Sequence, residues 1–138
     1  MDFLNLNDSD RQIVSTILTG YSSGSSKSRL TLEHLLAQWT RIAERMQSLY
    51  DMSLDDFLND VSTRDVLQEL IERLSHTSRT RLAAMLEPID ATFKSGTVEV
   101  AYLKGDHWWN HRLPARMGDE MSQQAKQLAD AGHDHEGR

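Results

Sequence analysis

The chain has no cysteine, which excludes a disulfide framework, a thiolate zinc centre, an iron-sulfur cluster and a cysteine nucleophile. It has only two prolines, and no glycine between Ser25 and Ser95, a spacing that favours long helices. No apolar run approaches the roughly 18 to 20 residues of a membrane span, and the opening MDFLNLNDSD lacks the basic region of a signal peptide, so a cytoplasmic protein is expected. A basic excess is also missing. Fifteen Lys and Arg stand against 21 Asp and Glu, a net charge of −6, which argues against a nucleic-acid or anionic membrane surface. There is no G-x-S-x-G elbow, no glycine-rich phosphate loop and no Walker lysine, so nucleophilic and nucleotide-dependent catalysis lose their best signals.

What is present is one domain's worth of globular chain. Its 138 residues are 38% hydrophobic and 26% charged, enough to bury a core and too short for two domains, so a single helical domain over 1–138 is expected. Ile13, Val14, Ile17 and Leu18 share one face of a first helix, capped by Asp8 or Ser9 and closed at Gly20. The polar stretch at 20–30 reads as a flexible Ser/Gly-rich loop. From Thr31 to about residue 50 the apolar residues Leu32, Leu35, Leu36, Trp39, Ile42, Ala43, Met46, Leu49 and Tyr50 recur at helical spacing. Ser53 caps a short helix with Asp55 and Asp56 in its first turn, and Ser62 or Thr63 restarts the pattern for Val66, Leu67, Leu70 and Ile71. Another helix from about residue 77 carries Leu82, Ala83, Met85, Leu86 and Ile89, with Pro88 expected to kink or divide it. The fold class expected is mostly α, a compact helical bundle of about five or six helices with one late β-hairpin at about 97–113. Leu36, Trp39, Ile42, Leu67, Leu70, Ile71, Leu82 and Leu86 form its expected core.

After Gly96 the period changes to alternation. Residues 97–103 and 107–113 read as two strands joined by a Gly105-Asp106 turn, which places Glu99 opposite Arg112, Tyr102 opposite Trp109 and Leu103 opposite Trp108. A last helix is expected from about Ala115 to Ala131, followed by a frayed tail at 132–138.

Trp108 and Trp109 are the most informative pair. On a strand they point to opposite faces, so if one packs on the helices the other meets solvent, a ligand or a partner chain. Arg112 and Arg116 flank them and can meet carboxylates or stack on a ring. Trp108, Trp109, Arg112 and Arg116 are therefore the candidate partner-binding residues. His107 and His111, with Asp106, give either a metal pair or the polar edge of the hairpin. A closed zinc site needs four ligands, and this spacing lacks the internal Glu of a zinc-protease helix. No metal, cofactor or catalytic residue is assigned. The carboxylates at Asp51, Asp55, Asp56 and Asp60 do not fit an EF-hand and read as helix-dipole partners and solvated surface. Arg73, His76, Arg79 and Arg81 around the turn at Ser75 suggest an anion site at a helix start, or ordinary partners for nearby glutamates. The expected function is a non-catalytic interaction or regulatory module that engages a protein partner or a second copy, with no nucleic acid and no membrane. The alternatives are a small metal-dependent enzyme or ligand binder centred on His107 and His111, and an acidic antagonist of a basic protein.

Overall fold

A computed structural model describes residues 5–21 and 31–136, with side chains described to Ala131. The expected polar loop lies outside the described residues from 22 to 30, and the side chains of the expected tail lie outside them from 132 on. Five helices, α1 (Asp8–Tyr21), α2 (Leu32–Arg45), α3 (Leu54–Arg73), α4 (His76–Ser95) and α5 (Asp119–Glu136), carry one antiparallel pair of short strands, β1 (Thr97–Glu99) and β2 (Arg112–Pro114). The fold is thus the mostly α bundle with a late hairpin. Helices α2, α3 and α4 pack mutually, α1 and α5 lie on α3, and β1 follows directly from the end of α4.

Local chemistry sets the helix ends. The Thr31 hydroxyl accepts from His34 N at 3.1 Å, and Ser53 makes a reciprocal box with Asp56, both at the expected positions. At α1 the cap is Asn7, whose Oδ1 accepts from Asp10 N at 2.8 Å, in place of Asp8 or Ser9; the helix passes through Gly20 to Tyr21. Helix α2 ends at Arg45, short of residue 50, because Tyr50 leaves the helix to exchange backbone bonds with Arg116 and Gly118 at 2.8 and 2.9 Å. Those bonds also delay α5 until Asp119. No restart occurs at Ser62 or Thr63. The apolar stripe of Phe57, Val61 and Leu67 continues through them, and the Thr63 hydroxyl is held by Gln38 at 3.0 Å, so α3 is one helix of 20 residues. Pro88 does not divide α4 either. It lies exposed on the helix, where the lost backbone bond leaves the carbonyl of exposed Ala84 near water.

The core is aromatic at its centre. Trp39 and Phe93 approach to 4.7 Å between centroids, Phe93 stacks with Phe57 at 6.4 Å, and Tyr50 meets the edge of Phe57 at 5.6 Å. Of the eight expected core residues only Ile71 is half-buried, since it sits about 100° round the helix from Leu70. Leu70 is 0% exposed, so Leu70→Ala should lower the unfolding free energy by about 2 to 5 kcal/mol in denaturant titration; a loss under about 0.5 kcal/mol would put Leu70 at the surface.

A buried carboxylate ties α1 to the bundle. Asp10 lies on the apolar stripe of α1, is 1% exposed, and accepts from Ser75 N at 3.0 Å, Ser75 Oγ at 2.5 Å and Ser78 Oγ at 2.6 Å. These donors belong to the start of α4, whose positive dipole end favours an anion. The helix start beside Arg73 and His76, one of whose two readings is an anion site, is therefore filled by a carboxylate of the chain itself. The hydroxyl of Ser75 first, then that of Ser78, hold the Asp10 carboxyl below its ordinary value, against the opposing effect of burial. The contribution is complete above the unfolded value of about 3.9 and is lost as pH falls through the lower folded value. Asp10→Ala should cost about 1 to 3 kcal/mol at neutral pH, and the gap from wild type should close in acid. Parallel urea titrations at pH 7 and near pH 2 check this; an equal gap at both would mean that the carboxylate is not the clamp.

Candidate functional site

The hairpin starts in the expected register and then departs from it. Thr97 pairs with Pro114, Val98 with Leu113 and Glu99 with Arg112, and Val100 N donates to His111 O at 2.7 Å. Past that bond the strands do not continue. Trp108–His111 forms a single 3-10 turn, so the expected cross-strand pairs Tyr102 with Trp109 and Leu103 with Trp108 are absent. The turn is closed by Asn110, whose Oδ1 accepts from His107 N at 3.0 Å while its own N donates to His107 O at 3.0 Å. Gly105, with φ of 146°, passes over that side chain where a Cβ would lie 2.3 Å from Asn110 Cβ. Burying Leu103 and Trp109 on one side of the segment outweighs continued alternation.

Strand alternation therefore does not separate the two tryptophans; packing does. Trp109 is 2% exposed, its Nε1 donates to Asp65 Oδ1 at 2.7 Å, and the Arg64 guanidinium carbon lies 4.2 Å from its ring centroid. His107 stacks on the same indole at 4.4 Å and 11°. Trp108 meets Trp109 edge-on at 5.4 Å and Phe93 at 6.1 Å, remains half-buried, and carries Lys94 Nζ at 4.4 Å from its ring. One indole belongs to the core and the other reaches the surface beneath a lysine.

Arg112 does not form the charge pair with Glu99 that its register allows. Its Nε donates to Thr97 Oγ1 at 2.7 Å and its Nη2 to the carbonyls of Thr97 at 3.0 Å and Lys94 at 3.2 Å. The Lys94 carbonyl lies in the last turn of α4, where free acceptors and the negative dipole end favour a guanidinium. Arg116 is exposed, and its backbone carbonyl receives Tyr50 N. His111 Nε2 lies 2.9 Å from Gly105 O while the His107 ring is on Trp109, so the two imidazoles have separate partners. Among the described residues no group of three or more His, Asp or Glu is arranged to hold a metal.

Two of the four carboxylates around the start of α3, Asp56 and Asp60, have structural partners, and Asp51 and Asp55 are exposed. Asp56 completes the Ser53 box, and Asp60 receives the Tyr50 hydroxyl at 2.7 Å and lies 3.7 Å from Arg45. Burial, then the bond to Asp60, pushes the Tyr50 hydroxyl well above its ordinary range. A depression of about 140 Å³ between α2 and α4, lined by Thr40, Ala43, Glu44, Pro88, Ile89 and Thr92, is far smaller than a substrate pocket.

Two residues beneath the turn are not among the expected site residues. Arg64, 5% exposed, donates to both oxygens of Asp90 at 3.0 and 3.1 Å and to Gln68 at 3.1 Å; Asp90 Oδ1 also accepts from Trp39 Nε1 at 2.9 Å. The sequence does carry a signal for them. Arg64 is three residues from both Val61 and Leu67, and Asp90 falls between Leu86 and Phe93, so each charge interrupts an apolar stripe. A second overlooked signal is local charge. Lys94, Lys104, Arg112 and Arg116 against Glu99 and Asp106 make residues 94–116 net +2 in a chain of net −6.

In comparisons with known protein families, with curated proteins and with solved structures, the chain matches none. No helix among the described residues is long and apolar enough to cross a membrane.

Proposed function

We propose that the chain is a non-catalytic cytoplasmic interaction or regulatory module, whose hairpin offers Trp108, Arg112 and Arg116 to a protein partner or a second copy of itself. Trp109 is the anchor that fixes the presenting turn. The observation that carries this reading is the inequality of the adjacent indoles: Trp109 is sealed against Arg64 and Asp65, while Trp108 stays half-buried at the surface. Large aromatics with arginine nearby are enriched where binding energy concentrates. Val98, 46% exposed on β1, adds apolar surface to the same hairpin.

The test is association of the full chain with and without the ring. Solution mass across a concentration series, with affinity capture alongside, should reveal a dimer or a stoichiometric partner. Trp108→Ala should weaken that association by about 2 kcal/mol or more while keeping the unfolding transition cooperative. A strict monomer whose captured proteins are unaffected by Trp108→Ala would reject the reading.

A further inference from the structure

Residues 94–116, the end of α4 and the hairpin, carry four cations against two carboxylates, whereas the helical body mixes ion-paired cations with Arg41, Arg79 and Lys126, which have no carboxylate within ion-pair distance among the described residues. Arg45, Arg64 and Arg73 each have a carboxylate within ion-pair distance, at 3.7, 3.0 and 3.8 Å. Among the described residues, Lys94, Lys104, Arg112 and Arg116 have none, although the chain holds six more acids than bases. One of them adjoins the reachable indole. Lys94 Nζ lies 4.4 Å from the Trp108 ring, and Arg112 Nη2 donates to the backbone carbonyl of Lys94 at 3.2 Å, so ammonium and guanidinium both belong to the end of α4 beside the hairpin.

We propose that the Lys94–Trp108–Arg112 surface binds a carboxylate-rich peptide segment of a partner protein, with an apolar side chain of that segment covering Trp108. This rests on the interaction reading above and specifies its partner. Charge complementarity carries the choice. The positive patch attracts an acidic segment, whereas the acidic remainder of the chain repels any polyanion long enough to run beyond the hairpin. A nucleic acid, charged at every phosphate, meets that repulsion along its length, while a few clustered carboxylates do not. A second copy offering its own Asp51–Asp56 corner would instead make the mass of the protein rise with concentration, as a dimer, ring or open chain, which separates it from peptide binding.

A short synthetic peptide of Glu and Leu, its Gln-for-Glu analogue and a single-stranded oligonucleotide of equal length serve as probes for the full chain, read by tryptophan fluorescence and calorimetry. The Glu peptide should bind and the Gln analogue should not. Binding should weaken about tenfold in Lys94→Glu and again on raising salt from about 0.05 to about 0.5 M, because the contact is charged and exposed. Lys94→Glu should still unfold in one cooperative transition, its midpoint lowered only slightly by a carboxylate at the negative end of α4, since the side chain is exposed. Equal binding of the Gln analogue, insensitivity to Lys94→Glu, tighter binding of the oligonucleotide, or protein mass that grows with concentration and is reduced by Lys94→Glu would each overturn the acidic-peptide assignment. If Trp108→Ala abolishes association but the Glu peptide does not bind, only the partner chemistry fails; if Trp108→Ala leaves every association intact, the interaction reading fails with it.

Discussion

Asp90→Ala is expected to lower the unfolding free energy by about 3 to 5 kcal/mol, as removal of one member of a buried ion pair does. The carboxylate receives two bonds from Arg64, 5% exposed inside α3, and one from the Trp39 indole, 0% exposed inside α2. Truncation leaves a guanidinium among apolar neighbours and an indole N–H without its acceptor. The joint replacement of Arg64 by Met and Asp90 by Leu should lose much less, because it removes the stranded charge along with the pair. Urea unfolding of the two singles and the double measures the coupling. A loss below about 0.5 kcal/mol for Asp90→Ala would show that water reaches the pair.

Trp109→Ala is expected to cost about 3 to 5 kcal/mol through the cavity it leaves. The same truncation exposes one face of the Arg64 guanidinium, removes the donor to Asp65 and takes away the platform under His107. Trp108→Ala removes an edge contact with Trp109 and a tilted contact with Phe93 from a half-buried site, so its cost should be the smaller by at least about 1 kcal/mol. Equal costs would mean that both rings are core.

The helical body was legible because its period is long and repeated. Trp39, Leu67, Leu70, Leu82 and Leu86 lie on stripes that survive errors of several residues at the helix ends. Periodicity located the start of α2 at Thr31 and cap chemistry located Ser53, yet cap chemistry misplaced a break at Ser62 and Thr63, because a hydroxyl on a continuous helix face resembles a cap when the partner, here Gln38, is distant in sequence. The hairpin register follows from the Gly105-Asp106 turn and holds from Thr97 to Glu99, but the charge pair of Glu99 with Arg112 does not form, because Thr97 and the Lys94 carbonyl at the end of α4 claim the guanidinium. Alternation failed at Trp108 for a related reason: the segment gains more by burying Leu103 and Trp109 together than by a regular ladder, and Asn110 closes the turn that allows it. Arg64, Asp90 and Asp10 were visible as charges on apolar stripes, but the pairing that makes them stable needs the helices brought together.

The most direct measurement of the division between the two indoles is a side-by-side determination of unfolding free energy and association for the wild type, Trp108→Ala and Trp109→Ala. Trp109→Ala should lose most of its stability, with any loss of association following from unfolding, whereas Trp108→Ala should stay folded and lose association. Two mutants that unfold equally, from a parent that is a strict monomer without a partner, would contradict it.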